Sequence, residues 1–559
     1  MHQHDVLIVG AGGAGLRAAV AAHEAGADVA IVSKLHPVRS HTGAAEGGIN
    51  AALKDADDWK DHAYDTVKGS DYIGDQEPIE IMTEEAPNEV IDLENMGMAF
   101  SREEDGRVAQ RAFGGLSFPR TTYASDKTGH MLLHTMYEQV MKRGIRVYDE
   151  YYVTKVVREN GECHGVVAVD VQTGRVEGFA AGATVFATGG MGQVYAHTTN
   201  AVSCTGDGMS MAYRAGVALE DMEFVQFHPT TLPSTGILIT EGCRGEGGIL
   251  YNSEGERFMY ERGYAPNDGE LASRDVVSRA ELTEVEEGRG VGDGCVHLDL
   301  THFGEEKIME RLAQIEELAR DFEGVDPVEE PIPVKPGQHY MMGGIDCDKD
   351  GATDLPGFYA VGECACVSVH GANRLGGNAL LELVVFGKRT GNHAAANHLT
   401  SVDTGAVETA VATERQRTED MMDRSGGEHQ SDIREDVQQA MTEHVNVFRS
   451  EEGLEQALDV IRDARERYAS VNVKDSSSTF NTDLLQALEL RSIIDCAEVI
   501  TVGALERTES RGAHWRYEHQ ERNDDDWLCH TMAHYSDDGP DIEYEDVEIL
   551  DYEPKERSY

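Results

Sequence analysis

The stretch Val6-Leu7-Ile8-Val9-Gly10-Ala11-Gly12-Gly13-Ala14-Gly15, with the Ala-rich run from Leu16 to Ala25, Gly26, and the second apolar run Val29 to Val32, decides the fold. Val6 to Val9 carries no polar alternation, as a strand buried on both faces requires. Gly10, Gly12 and Gly15 supply Gly-x-Gly-x-x-Gly, and Gly26 stops the helix that follows. Strand, glycine turn, helix and strand form the dinucleotide fingerprint in its required context. Its glycines let the backbone approach a pyrophosphate at a helix N-terminus. The second strand ends in Ser33-Lys34 rather than in the acid that binds the ribose of NAD, which counts against a plain NAD site.

Working outward, Ala183 to Gly190 is an apolar strand entering a glycine turn, and Gly357 to Glu363 is another that ends in an acid. These segments fit a nucleotide site interrupted by an inserted domain. Residues 325–337 hold four of the fourteen prolines and read as a stiff hinge back from the insert. From 396 to 505 the pattern is helical and polar. From Asn523 to Tyr559 there are 13 acids against two bases, which reads as a strongly solvated terminal domain or extension. The expected architecture is α/β: a Rossmann-like nucleotide-binding domain from 1–232 and 340–395, an inserted domain at 233–339, a helical domain at 396–505 and a C-terminal domain at 506–559.

The 559 residues carry 102 acids and 48 bases, a formal net charge of −54. Clustered phosphate contacts are not available to such a surface, so nucleic acid is excluded as a partner. Lys supplies only 13 of the bases. An excess of this size suits a protein of concentrated salt, where the Debye length is about 3 Å near 1 M. The nine cysteines include no CxxC and offer no set of four closely spaced thiolates, which argues for a reducing compartment and against a resident iron–sulfur cluster. No run of 18 apolar residues occurs, and the strand pattern begins at Asp5, so neither a span nor a signal peptide is expected.

Several longer motifs follow in order. Arg39-Ser40-His41-Thr42 leads into Glu46-Gly47-Gly48-Ile49. Then come Thr205-Gly206-Asp207-Gly208, Phe227-His228-Pro229-Thr230, Thr240-Glu241-Gly242-Cys243-Arg244-Gly245-Glu246-Gly247, Ser273-Arg274-Asp275 and His339-Tyr340-Met341-Met342-Gly343-Gly344. Ser368 to Asn378 (SVHGANRLGGN) and Glu509 to His514 (ESRGAH) complete the series. Over nearly its whole length the chain resembles the flavoprotein subunit of succinate dehydrogenase and fumarate reductase.

That resemblance implies FAD bonded covalently through His41, with Gly10, Gly12, Gly15, Ser33, Lys34, Thr42, Gly48, Asp207, Glu363, Ala379 and Leu380 as further flavin contacts. Ala379 stands where the family usually has Ser, so a hydroxyl contact there is lost or replaced by backbone. Arg374 and His339 would hold one carboxylate of succinate, and His228 and Thr240 the other; Arg suits a carboxylate because it binds bidentately. Arg274 would transfer the proton, with Glu241 and Arg244 as a relay toward solvent. A free guanidinium is a poor base, so pure electrostatic clamping by Arg274 stays open beside proton transfer. Cys243, next to Arg244, is either a thiolate-prone thiol or inert filler.

The implied partners are an iron–sulfur subunit and one or two membrane anchor subunits that reduce quinone. They would place the chain peripherally on the cytoplasmic face of the cell membrane. Succinate oxidation is the main reading and fumarate reduction its alternative, because the same residues serve both. A soluble aspartate oxidase is disfavoured by His41 in its RSHT context. A flavin-binding scaffold is disfavoured by the joint presence of His228, Arg274, His339 and Arg374.

Overall fold

In the computed structural model, which describes residues 1–557, the uninterrupted apolar runs form the centre of the main sheet. Strands Arg146–Asp149, Val29–Ser33, His2–Val9 and Val176–Phe186 lie side by side and parallel. Glu162–Asp170 and Tyr151–Glu159 extend the sheet antiparallel. The long strand Val176–Phe186 pairs along one edge with His2–Val9. Its other edge is shared by Glu162–Asp170 and, at the carboxyl end, by Phe358–Ala360. Val9 and Ala360 both stand opposite Phe186, so three segments far apart in sequence end together. A ligand crevice belongs at such carboxyl ends.

The helix Gly13–Glu24 leaves the first strand and packs against Asn378–Asn397. The approach is close because Gly391 faces it: a Cβ there would overlap the Ala18 carbonyl oxygen. The second helix thereby brings Ala379 and Leu380, at its start, to the crevice.

The insert has its own core, from Leu232 through Leu250, Val277 and Leu298 to Val334. A four-stranded sheet ties it to the main domain in the order Val225–Thr231, Ile332–Met341, Val296–Asp299, Ile249–Tyr251. Within Ile332–Met341, residues 332–334 pair with the insert and residues 335–341 with Val225–Thr231. The proline-rich stretch read as a hinge is therefore, in its second half, a strand common to both bodies. Pro333 and Pro336 fit there because their fixed φ is compatible with extended backbone.

Helices Gln430–His444, Glu451–Tyr468 and Thr482–Glu506 pack together, and Thr404–Asp423 covers Tyr151–Phe186. The acidic tail is less solvated than its composition implies. Cys529–His534 is an inner strand of a sheet with Leu219–Glu220, Gly344–Asp346 and Ala365–Cys366, and it is mostly buried. The acids concentrate on its neighbour Asp541–Asp546, an exposed edge strand, where charge discourages further strand pairing. Among the described residues no helix is long and apolar enough to cross a membrane.

Candidate active site

One cavity of about 400 Å³ runs from the glycine turn to the insert. Gly10, Gly12, Ser33, Lys34, His41, Thr42, Gly48, Asp207, Glu363, Ala379 and Leu380 line it, and so do His228, Thr240, Glu241, Arg274, His339 and Arg374. Gly15 and Arg244 do not. Gly15 instead sits against Gly10, where a Cβ would overlap the Gly10 carbonyl oxygen, so its absent side chain serves helix–strand packing.

At the nucleotide end, the helix Gly13–Glu24 has no side-chain cap on its N-terminus, which leaves backbone N–H groups for an anion. Gly13 donates to Thr42 Oγ1 at 3.1 Å, fastening the RSHT loop to the glycine turn. Glu363 is buried and receives the Met341 N–H at 3.3 Å; burial pushes its carboxyl up to about 7. It stands ready to bond hydroxyl groups. Lys34 Nζ donates to Asp207 (2.8 Å), Glu489 (2.8 Å) and Thr205 (3.0 Å). Burial opposes its charge, yet the two carboxylates hold it above its ordinary value. Lys34 and Asp207 thus meet in one ion cluster at the cavity wall, joined by a partner from the helical domain that sequence reading missed. An uncapped helix start, an acid for hydroxyls and an apolar shelf at Ala379 and Leu380 suit FAD. His41 lies beyond them, with the Ala201 N–H donated to its Nδ1 at 3.4 Å, and burial lowers it to about 4. Its ring is therefore neutral near pH 7.

At the other end, the insert contributes Thr240, Glu241 and Arg274, the shared strand Ile332–Met341 contributes His339, and the main domain His228 and Arg374. Arg274 donates from Nε to Glu241 (2.9 Å) and from Nη1 to Gln226 Oε1 (2.9 Å). Arg374 donates from Nη2 to the same Gln226 oxygen (3.1 Å) and lies 4.0 Å over the Tyr340 ring. Burial, with Arg274 close by, lowers Arg374 to about 10, and its buried Nε has no protein partner among the described residues. Burial alone would raise Glu241, but Arg274, Arg244 and the Gly114 N–H at 2.7 Å hold it below its usual range.

The rings of His228 and His339 stand 5.1 Å apart. Burial and the neighbouring guanidinium groups push both well below their ordinary value, so they act as neutral hydrogen-bonding groups rather than cations. Thr199 Oγ1 lies 2.8 Å from His339 Nδ1, and the Thr230 N–H reaches His228 Nδ1 at 3.2 Å. Cys243 is fully buried and its thiol is pushed up by burial, with Glu46 adding to the effect. Its burial supports the inert of the two readings of this thiol. Gln226 escaped the sequence reading although it directly precedes Phe227-His228-Pro229-Thr230.

A flavin-sized nucleotide cleft on a Rossmann-like sheet, closed by an insert that carries a buried cation, defines an FAD-dependent oxidoreductase. The family described as FAD binding domain matches residues 5–380, and that described as fumarate reductase flavoprotein C-term matches 434–559. The chain is 47% identical to the succinate dehydrogenase flavoprotein subunit of Rickettsia bellii, with 99% of this chain and 95% of the relative covered. It is 45% identical to the fumarate reductase flavoprotein subunit of Haemophilus influenzae, with 99% and 96% covered. Among solved structures, an E. coli quinol fumarate reductase chain superposes with TM-score 0.97 at 43% identity, covering 100% of this chain and 99% of that one. The chain belongs to the family of succinate dehydrogenase and fumarate reductase flavoprotein subunits, and it binds FAD.

Proposed function

We propose that this chain oxidises succinate to fumarate as the flavoprotein subunit of a succinate:quinone oxidoreductase, with FAD bonded covalently to His41. The observation that carries this reading is the convergence of Arg274 and Arg374 on Gln226 in the cavity that also holds His41. Two fixed guanidinium groups with two neutral imidazoles match a small dicarboxylate. When bound, FAD supplies the two-electron acceptor that takes up or returns a hydride. Arg374 and His339 bind one carboxylate, and His228 and Thr240 the other. Arg274 first yields a proton to Glu241, which it already contacts, and Glu241 passes one to Arg244 as Arg244 releases its own toward solvent. The nitrogen freed on Arg274 then takes the proton from the neighbouring carbon. Closure of the insert over the main domain excludes water.

Electrons leave through an iron–sulfur subunit to membrane anchor subunits and quinone at the cytoplasmic face of the membrane. One feature supports an exit beside the flavin: the residue after Ala201, which contacts His41, is Val202, 80% exposed.

The test is binding and attachment. Succinate, fumarate and the unreactive dicarboxylate malonate should each perturb the absorbance of the FAD-loaded protein, and Arg374→Ala should weaken all three. After denaturing electrophoresis the band should fluoresce, and His41→Ser should darken it while FAD stays bound without the covalent link. A spectrum indifferent to all three dicarboxylates would overturn the substrate reading, and a dark wild-type band the covalent one.

A further inference from the structure

Arg374 must keep N–H groups open for a carboxylate and stay charged where burial and the nearby Arg274 oppose its charge. Arg274 is paired with Glu241 at 2.8 Å, whereas Arg374 has no ion-pair partner among the described residues. Its Nη2 is bonded to Gln226 Oε1 at 3.1 Å, and its buried Nε has no partner among those residues. What lies against it is the face of Tyr340, with the guanidinium carbon 4.0 Å from the ring centroid. Both side chains line the cavity. A π face attracts a cation without accepting from any one N–H.

The Tyr340 ring is itself held. Its Oη donates to Glu382 Oε2 at 2.8 Å, and His370 Nε2 lies 3.0 Å from the same oxygen. His370 stands edge-on to the ring, with centroids 5.3 Å apart and planes at 84°. All three side chains are buried. Tyr340 follows His339 on the strand Ile332–Met341, and Glu382 lies one turn into the helix Asn378–Asn397, past Ala379 and Leu380. The phenol therefore joins the strand of one substrate-site residue to the helix that borders the nucleotide cleft. A carboxylate that accepts from the phenol polarises it and enriches the face turned to the cation.

A carboxylate in the place of this ring would neutralise Arg374 and occupy the N–H groups that a substrate carboxylate needs. An aliphatic side chain would leave a buried cation without support. We infer that Tyr340 is the positioning residue of this subsite, holding the Arg374 guanidinium flat and charged while leaving its fork open to a substrate carboxylate. The inference rests on the dicarboxylate reading of the site.

The experiment titrates malonate into the FAD-loaded protein and reads the flavin absorbance, with steady-state succinate kinetics beside it. Tyr340→Leu should weaken malonate by about tenfold or more. Succinate KM should rise by a similar factor while flavin content stays near wild type. Tyr340→Phe keeps the ring, so its malonate affinity should stay within about threefold of wild type. The decisive comparison is a double-mutant cycle. In an Arg374→Gln protein, Tyr340→Leu should weaken malonate no further, because the ring acts through the guanidinium. A packing role would cost affinity in both backgrounds. Both Tyr340 substitutions are repeated together with Glu382→Leu, which removes the carboxyl that has lost its phenol and keeps the ring comparison readable if that carboxyl prevents folding.

Tyr340→Leu with wild-type malonate affinity would overturn the inference, as would equal losses in the wild-type and Arg374→Gln backgrounds. So would Tyr340→Phe as weak as Tyr340→Leu, which would assign the effect to the hydroxyl. A folded, flavin-loaded wild type whose spectrum ignored malonate, succinate and fumarate would instead remove the reading on which the inference rests.

Discussion

Gln226 is the residue on which the two guanidinium groups of the site depend: one amide oxygen receives both. Its Nε2 in turn donates to the Arg374 carbonyl at 2.8 Å and to Asn373 at 3.0 Å, so the amide cannot turn away. Gln226→Leu should leave two buried donors without an acceptor, lowering stability by about 1–3 kcal/mol. Succinate KM should rise by about tenfold, equivalent to about 1.4 kcal/mol. Denaturant melts and steady-state kinetics check the two effects separately. Arg274→Lys keeps a charge but cannot bond Glu241 and Gln226 at once. Turnover should drop on the order of 10²-fold or more with flavin content unchanged. A near-normal rate would favour the clamp reading of Arg274 over proton transfer.

The C-terminal hairpin carries a buried charge cluster. His530, on Cys529–His534, sets Nδ1 against Asp221 (2.8 Å) and Glu220 (3.1 Å), and Nε2 against Asp75 (3.2 Å). Burial alone would lower it, but these carboxylates hold it well above its ordinary value. A raised histidine gives a contribution that is complete below the unfolded value near 6.5 and is lost as pH rises through the folded one. Stability should therefore fall with pH by up to about 1.4 kcal/mol per unit in that window. His530→Gln should flatten the slope. A melting midpoint indifferent to pH above 6.5 in the wild type would count against the charged imidazole.

The same hairpin marks where sequence reading stops. The glycine turn is legible because its spacing answers local backbone constraints, and the flavin loop because its motif is long. Composition, by contrast, does not say that one tail strand is buried while its neighbour takes the acids. Nor does periodicity place Glu489 against Lys34, 455 residues apart. That pairing arises only when the helix Thr482–Glu506 packs against the main domain.

On the scale of the whole molecule, an excess of 54 negative charges opposes the compact state at low ionic strength. Individual surface pairs contribute about 1 kcal/mol or less, but the excess is global. We propose that the protein is adapted to concentrated salt. Its melting temperature should rise from about 0.1 M to 3 M KCl as the Debye length shrinks from about 10 Å to 3 Å and below. A flat or falling curve would reject this adaptation and leave the flavoprotein assignment intact, since different residues carry it. The central claim is tested most directly by turnover of the purified FAD-loaded protein in molar salt, with succinate and an artificial acceptor, and with fumarate and an artificial donor. The account predicts both activities, each inhibited competitively by malonate and each lost in Arg274→Lys. A folded, flavin-loaded protein that turned over neither dicarboxylate, or oxidised L-aspartate instead, would contradict it.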